Sequence, residues 1–463
     1  MRVALADLKG RGGFVSKDTV AGGYGSRFRT FSRTTAWFHR FKSQYHFAPS
    51  VHLAYIAAIL ADAGHEVLST DGAPVDADLA IVLSSLVDYR NETEWADRMR
   101  ARGVRVGFVG LTASKMPQLF ADHADFIIDG EPEEAAFRLA RGERLSGVCK
   151  SAPVEDLDSL PFPRWDLVLQ KNRSGIRMVA RPVGGGFPLL SSRGCPEFCT
   201  YCPHRILAPY RTRSIDNIVD EIEQLCRATR RPYIIFRDPL FTESRERMLE
   251  FCRQIRQRDL RIRFECETRL DRLDEDLLRE MYGVGLRIIG FGVESVSPET
   301  LRRVGRRPTP EEHQRNIIEK CREIGIATAG FFVLGFLTDT WDSIMATIEF
   351  SKDLGPTFAQ FKLLTPYPGT PLWKQLGPRV FETDWEKFDG YTPTFEHPSL
   401  TGPQLTFLLG AAFTHFYVRP SYLANFLKIQ NTAVREWVSR MDRRVNDRHS
   451  RAEIADISRP VAC

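Results

Sequence analysis

The sequence predicts an α/β protein: a doubly wound unit, then an incomplete (β/α) barrel, then a mainly helical C-terminal region. Three observations carry that expectation. Residues 1–150 alternate short apolar strands with helices, residues 186–375 alternate again through six strand–helix units, and a proline-marked stretch, DSLPFPRWDL (Asp158 to Leu167), lies between them. Regular alternation of this kind is the mark of parallel sheets, whose strands are joined through helices. A length of 463 residues suits two to three domains, and texture divides them as 1–150, a linker at 151–185, 186–375 and 376–463.

In the first unit, VALADL, HLAYIAAILADAGHEVLSTD, DLAIVLSS, VRVGFVGLTAS and ADFIIDGEPEEA read as strand, helix, strand, strand, strand. Doubly wound domains bind ligands outside the carboxyl ends of their strands. Here those ends are Ser84-Ser85, Gly110-Leu111-Thr112 and Gly130-Glu131. Small residues there let a large flat ligand come close to the backbone. No Gly-x-Gly-x-x-Gly follows the first strand, which disfavours a dinucleotide. A structural domain with no defined ligand is the plainer alternative. A long insertion at about 9–50, rich in glycine, arginine and aromatic residues, is too aromatic for simple disorder. It is expected to fold over the domain interface, or else to pack on the C-terminal region.

The second unit opens with FPLLSSRGC, a short strand ending at Gly194-Cys195. Ser214 is the expected N-cap of the helix that follows, with Ile218, Ile222 and Leu225 on its apolar face. Strands then recur at 233–238, 262–269, 287–295, 328–336 and 359–370. Another helix is expected to start at Thr309-Pro310-Glu311-Glu312, with a capping-box pair and proline in the first turn. In barrels of this type chemistry sits at the C-terminal strand ends. These ends carry the cysteine loop, Asp238, Glu267 with Arg269, Glu294 with Ser295, and Gly335. Each alone reads as a cap or a surface ion pair. Together on one rim they form a functional pattern.

The cysteine loop is SSRGCPEFCTYCPHR, with Cys195, Cys199 and Cys202 spaced Cys-x-x-x-Cys-x-x-Cys. Three thiolates are one short of the four that normally hold a 4Fe-4S cluster, so one iron would keep an open position. Zinc with His204 as fourth ligand is a rival, as are three buried structural cysteines. Nine cysteines, an odd and mostly scattered set, argue against disulfides. Cys226, Cys252, Cys266 and Cys321 fit helix faces or a strand, and one cluster is expected.

With these motifs in place, residues 186–375 resemble a radical S-adenosylmethionine (SAM) domain of partial (β/α)6, TIM-like form. The resemblance implies that Cys195, Cys199 and Cys202 hold the cluster and that SAM occupies its open iron. It implies Tyr201 beside the adenine, Asp238 near the methionine amino group, Glu267, Arg269 and Glu294 toward the ribose and carboxylate, and Gly335 by the adenine. Arg237-Asp238-Pro239 stands where many members carry Gly-Gly-Glu. Residues 1–150 with LPFPRWDL resemble the Rossmann-like cobalamin-binding domain that precedes the radical SAM domain in one subfamily. That implies cobalamin against Ser84, Ser85, Gly110, Leu111, Thr112, Gly130 and Glu131. The Asp-x-His-x-x-Gly motif is missing, since Asp7-Leu8-Lys9-Gly10 follows the first strand, so no histidine is assigned as lower cobalt ligand. The implied activity is C-methylation of an unactivated carbon in a small-molecule, lipid or tetrapyrrole-like substrate, through a 5′-deoxyadenosyl radical and methylcobalamin. Cyclisation, ring contraction or oxidation on the same scaffold is the alternative among enzymes. A non-catalytic corrinoid- or zinc-binding regulator is the alternative outside them.

Composition narrows the partners. Net charge is +5, from 64 basic and 59 acidic residues, too mild to suggest nucleic acid. Residues 1–150 hold one cysteine, Cys149, which disfavours the second cluster of a tRNA methylthiotransferase. No secretory or transmembrane segment is read, so a cytoplasmic monomer is expected, with an external electron donor of flavodoxin or ferredoxin type. LTFLLGAAF (405–413) reads as a packed helix before a membrane-surface one. FTHFYVRPSYLANFLKI (413–429) resembles the terminal helices of cobalamin–radical SAM enzymes acting on lipids and tetrapyrroles, and RMDRRVNDRHSR reads as a solvated helix or tail.

Overall fold

Alternating burial within single strands explains the first layer. In β1 (Arg2–Ala6), Val3 and Leu5 join one core while Ala4 and Ala6 join another. In β3 (Leu79–Leu83), Ile81 and Leu83 share the first core, and Ala80 and Val82 the second. Successive side chains of a strand point to opposite faces, so both faces of this sheet are covered. Helices α1 (Val51–Asp62) and α3 (Pro132–Ala140) supply one cover, and α2 (Tyr89–Arg100) the other through Trp95 and Met99. This computed structural model describes residues 1–8, 10, 15–17, 23–27, 49–168, 186–420 and 422.

The first sheet runs β2-β1-β3-β4-β5-β6, all neighbours parallel, with β2 at Glu66–Thr70, β4 at Arg105–Val109, β5 at Phe126–Gly130 and β6 at Gly147–Ser151. The sequence pattern shows neither strands β2 and β6 nor the helices Tyr89–Arg100 and Pro132–Ala140, the start of the latter reading as the end of a strand. Both strands lie at sheet edges and are largely exposed or half-buried, so their apolar signal is weak. The described part of the expected linker packs as part of this unit. Leu157, Leu160 and Trp165 are buried in its core, and the Arg164 amide donates to the Ala54 carbonyl.

The second sheet has the six expected strands: β7 (Phe187–Leu189), β8 (Tyr233–Phe236), β9 (Arg263–Thr268), β10 (Leu286–Glu294), β11 (Ala327–Leu334) and β12 (Phe358–Leu363). They pair in parallel in the order β12-β11-β10-β9-β8-β7, leaving β7 and β12 as edges of an incomplete barrel. Burial alternates strictly along β11 and β12, as expected where one face meets helices and the other lines a cleft.

Ser214 caps its helix as expected, accepting from the Asn217 amide at 3.1 Å. The expected capping box at Thr309 is not formed. Pro310 is the N-cap of the helix Glu311–Ile324 and has no side chain to bond, and the Thr309 carbonyl accepts from Gln314 instead. The packed helix expected at 405–413 forms within Gly402–Tyr417, started by a true capping box of Thr401 and Gln404. Among the described residues no helix is long and apolar enough to cross a membrane. The basic run at 440–451 and most of 413–429 lie outside the described residues, as does most of the 9–50 insertion. Its described pieces do bridge the two units. Tyr24 stacks on Tyr367 at 5.2 Å and donates to the Pro368 carbonyl, while the Lys17 ammonium lies 2.8 Å from Glu92.

Candidate active site

The cysteine loop leaves the end of β7 and is held at three levels. At its base, the buried Asp238 carboxylate accepts from the Ser191 amide (3.1 Å), the Ser191 hydroxyl (2.8 Å) and the Ser192 hydroxyl (2.5 Å). Next, Gly194 adopts φ +72, and a Cβ there would lie 2.4 Å from the Ala208 carbonyl oxygen, so only glycine fits the turn. Within the loop, the Thr200 amide donates to the Val304 carbonyl (2.9 Å) and the Thr200 carbonyl accepts from Leu372 (3.1 Å). Cys195, Cys199 and Cys202 are free thiols on this pinned frame.

Burial pushes all three thiols up, against the pull of the Glu197 amide on Cys195, of Arg306 on Cys199 and of the His204 amide on Cys202. They are protonated at neutral pH unless a metal takes the place of the proton, as it does for any ligating cysteine. Among the described residues no three His, Cys, Asp or Glu side chains, the three cysteines included, are already gathered around one metal ion. Three free thiols on one loop, with amides directed at two sulfurs, suit the donor set of an iron–sulfur cluster.

Around the loop stand the other rim residues. The Tyr201 hydroxyl hydrogen-bonds the Glu294 carboxylate, and its ring meets Phe336 edge-on at 5.6 Å. Glu294 itself has φ +66, uncommon for a residue with a side chain. Burial pushes its carboxyl up against the pull of Arg306, 3.7 Å away. Gly335 has φ +84, and its amide donates to Asp339 at 2.9 Å. Tyr201, Glu294 and the Gly335 turn are therefore gathered beside the cysteines. Glu267 is paired at 3.0 Å with Arg237 on a half-exposed part of the rim. Arg269 is buried and chelated by Asp271, with Glu197 of the loop 3.7 Å away.

Sequence reasoning missed Arg306. Its Nη1 lies 3.9 Å from the Cys199 sulfur, and its Nη2 donates to the Gly292 carbonyl at 2.5 Å. It also missed the reason for Gly292, where a Cβ would lie 2.1 Å from the Glu294 carboxylate. The available signal was the glycine pair in GFGVES, followed by an arginine-rich turn.

At the first sheet, Gly110, Leu111, Gly130 and Glu131 line a cleft together with His52, Ser114, Pro132 and Arg193. Gly194, the residue before Cys195, lines it too. The expected residues Ser84, Ser85 and Thr112 lie beneath that surface, fully buried. The Ser84 hydroxyl donates to the Val109 carbonyl and accepts from the Ala113 amide, and Ser85 is spent on Glu92. Glu131 does not present a free carboxylate. Arg193 holds it at 3.1 Å and Arg211 closes on its other oxygen. Arg193 also bonds Glu133 at 2.7 Å. Burial alone would raise the Glu133 pKa, but Arg193 and His52 outweigh it and hold the carboxyl well below the usual range.

Comparison with known proteins matches residues 189–351 to the radical SAM superfamily, and the chain carries a radical SAM domain. An uncharacterized methyltransferase of Pyrococcus horikoshii is 28% identical over 323 residues, covering 65% of this chain and 68% of its own. The bacteriochlorophyllide d C-12(1)-methyltransferase of Chlorobaculum tepidum is 26% identical over 369 residues, covering 76% and 74%. Among solved structures, the radical SAM methyltransferase TsrM of Kitasatospora setae, with cobalamin and a [4Fe-4S] cluster bound, shares the fold at TM-score 0.56 and 18% identity, over 81% of this chain and 78% of its own.

Proposed function

We propose that this chain is a cobalamin-dependent radical SAM methyltransferase that methylates an unactivated carbon of a small-molecule, lipid or tetrapyrrole-like substrate. The observation that carries this reading is the shared wall. Arg193 and Gly194 line the cleft at the first sheet, and Cys195 is the next residue of the same loop. Bound there, a SAM-ligated cluster supplies a 5′-deoxyadenosyl radical and a corrinoid supplies the methyl group. The chain's part is to hold and orient. Cys195, Cys199 and Cys202 ligate iron. Tyr201, Glu294 and Gly335 frame SAM, with Asp238, Glu267 and Arg269 completing or supporting its pocket. Gly110, Leu111, Gly130 and Glu131 form the corrinoid floor, with Ser84, Ser85 and Thr112 beneath it. In this reading the domains are 1–150, a linking stretch at 151–185 whose described part packs on the first unit, 186–375 and a mainly helical 376–463, in a cytoplasmic monomer reduced by a flavodoxin- or ferredoxin-type donor.

The test is product analysis. The protein is reconstituted anaerobically with iron and sulfide, then given cobalamin, SAM, reductant and a bacteriochlorophyllide as candidate methyl acceptor, with a lipid series as the second arm. Substrate-dependent formation of both S-adenosylhomocysteine and 5′-deoxyadenosine is expected. Deoxyadenosine alone, with a cyclised or oxidised product, would overturn methyl transfer and keep the radical chemistry.

A further inference from the structure

The face outside the cysteine loop is basic and carries an exposed aromatic. Phe198, the residue before Cys199, is 63% exposed. Packed against its backbone is the turn after the short helix Pro298–Arg303: a Cβ on Gly305 would lie 2.5 Å from the Phe198 carbonyl oxygen. That turn, LRRVGRRP (Leu301 to Pro308), has four arginines and no acid. Arg306 turns inward to Cys199, while Arg302, Arg303 and Arg307 are exposed. Arg303 is tied to Glu299, and Arg302 and Arg307 have no ion-pair partner among the described residues. The loop's own carboxylate, Glu197, is offset by Arg269 at 3.7 Å and Arg272 at 3.6 Å.

We infer that this face is the docking surface for an acidic one-electron carrier protein. The inference rests on the radical SAM reading above. Charge complementarity sets the occupant: exposed arginines around an apolar contact steer an acidic partner and orient it. The position sets the use, since the apolar contact is one residue from a cysteine of the cluster loop. One electron crosses the interface. The carrier is oxidised by one, the cluster held by the cysteines is reduced by one, and no atom moves.

The test measures binding and turnover separately. Reconstituted full-length protein is titrated with an acidic flavodoxin, and in a second arm with an acidic [2Fe-2S] ferredoxin, at low and high salt. SAM cleavage is then driven either by the carrier or by dithionite. Expected is salt-weakened binding that falls at least tenfold in Arg302→Glu/Arg307→Glu, less in the paired glutamine variant, with dithionite-driven cleavage unchanged. Since these side chains are exposed, folding is expected to survive, and circular dichroism checks it. Three results would overturn the docking surface: neither carrier binding, the variants binding like wild type, or nucleic acid binding this face more tightly than either carrier. Loss of dithionite-driven cleavage in the variants would overturn it too, because the turn would then serve the cluster itself. No cleavage by wild type with dithionite is a different result. It removes the radical SAM reading, and the binding arms still decide whether this face takes an acidic protein.

Discussion

The carboxyl ends of the two sheets are built from different materials. At the first sheet they are finished with short hydrogen bonds and bare backbone: Ser84 bridges Val109 and Ala113, Ser85 is spent on Glu92, and Gly110 and Gly130 take φ of +107 and +122. At the second sheet they are finished with charge: Arg237 with Glu267, Arg269 with Asp271, Arg306 with Glu294. The first is a shaped floor and the second a charged rim. A floor accepts a ligand by fit, whereas a rim holds metal, carboxylate and amine groups by direct bonds. The two are joined where Arg193, at the base of the cysteine loop, reaches the Glu131–Glu133 turn of the first unit.

The largest expected effect comes from removing a thiol at the rim. Cys199→Ala is expected to bring iron content, cluster absorbance and SAM cleavage to background, while cobalamin binding persists. Iron analysis and equilibrium titration with cobalamin on the same preparation separate the two. A variant that kept full cleavage would disprove the cluster assignment. One that lost cobalamin as well would show that floor and rim do not act independently.

Much of this contrast was legible in the sequence because its carriers are close in the chain. The three cysteines share one loop, and six apolar strands recur at regular intervals, so the cluster loop and the half-barrel could be read directly. What could not be read depends on long-range closure. Nothing in the sequence near Arg306 says that it reaches Cys199, 107 residues away. Glu131 was read as facing a ligand, yet the buried Arg193 and the partly buried Arg211 take its carboxylate. Ser85 looked like a ligand-facing hydroxyl because it ends a strand, and it is buried because Glu92 folds back onto it. Small polar residues at strand ends serve floors and ligands alike, so only the packing distinguishes them.

The junction gives the next effect in size. Arg193→Met leaves two buried carboxylates without their shared cation, and breaking a buried ion pair from one side costs roughly 3–5 kcal/mol. A large drop in melting temperature is expected at pH 7. The pH dependence sharpens it. In the wild type the Glu133 carboxyl is held low, so its stabilising contribution is complete above the unfolded value of about 4.5 and is lost as pH falls below it. In the variant only His52 is left to oppose burial and the carboxyl rises, so acid destabilises the fold less. The gap between the two melting temperatures should therefore narrow from pH 7 towards 4. A gap independent of pH would mean that Arg193 acts by packing and not by charge.

The smallest effect is expected at the floor. Ser84→Ala removes one hydroxyl that serves two partners, 2.8 Å from the Val109 carbonyl and 3.0 Å from the Ala113 amide. The Val109 carbonyl keeps the Ser84 amide at 2.9 Å, so only the Ala113 amide loses a side-chain partner outright. One unsatisfied buried donor costs about 1–3 kcal/mol, and losing a single oxygen atom opens only a small void beside it. A shift of the denaturation midpoint in this range is expected, with cluster content unchanged. Cobalamin affinity should fall because Ala113 follows Gly110, Leu111 and Thr112 in one turn, and loosening its amide loosens the edge of the cleft. If affinity stays the same while stability falls, the floor's shape is set by the glycine backbone alone and the serines only support the sheet.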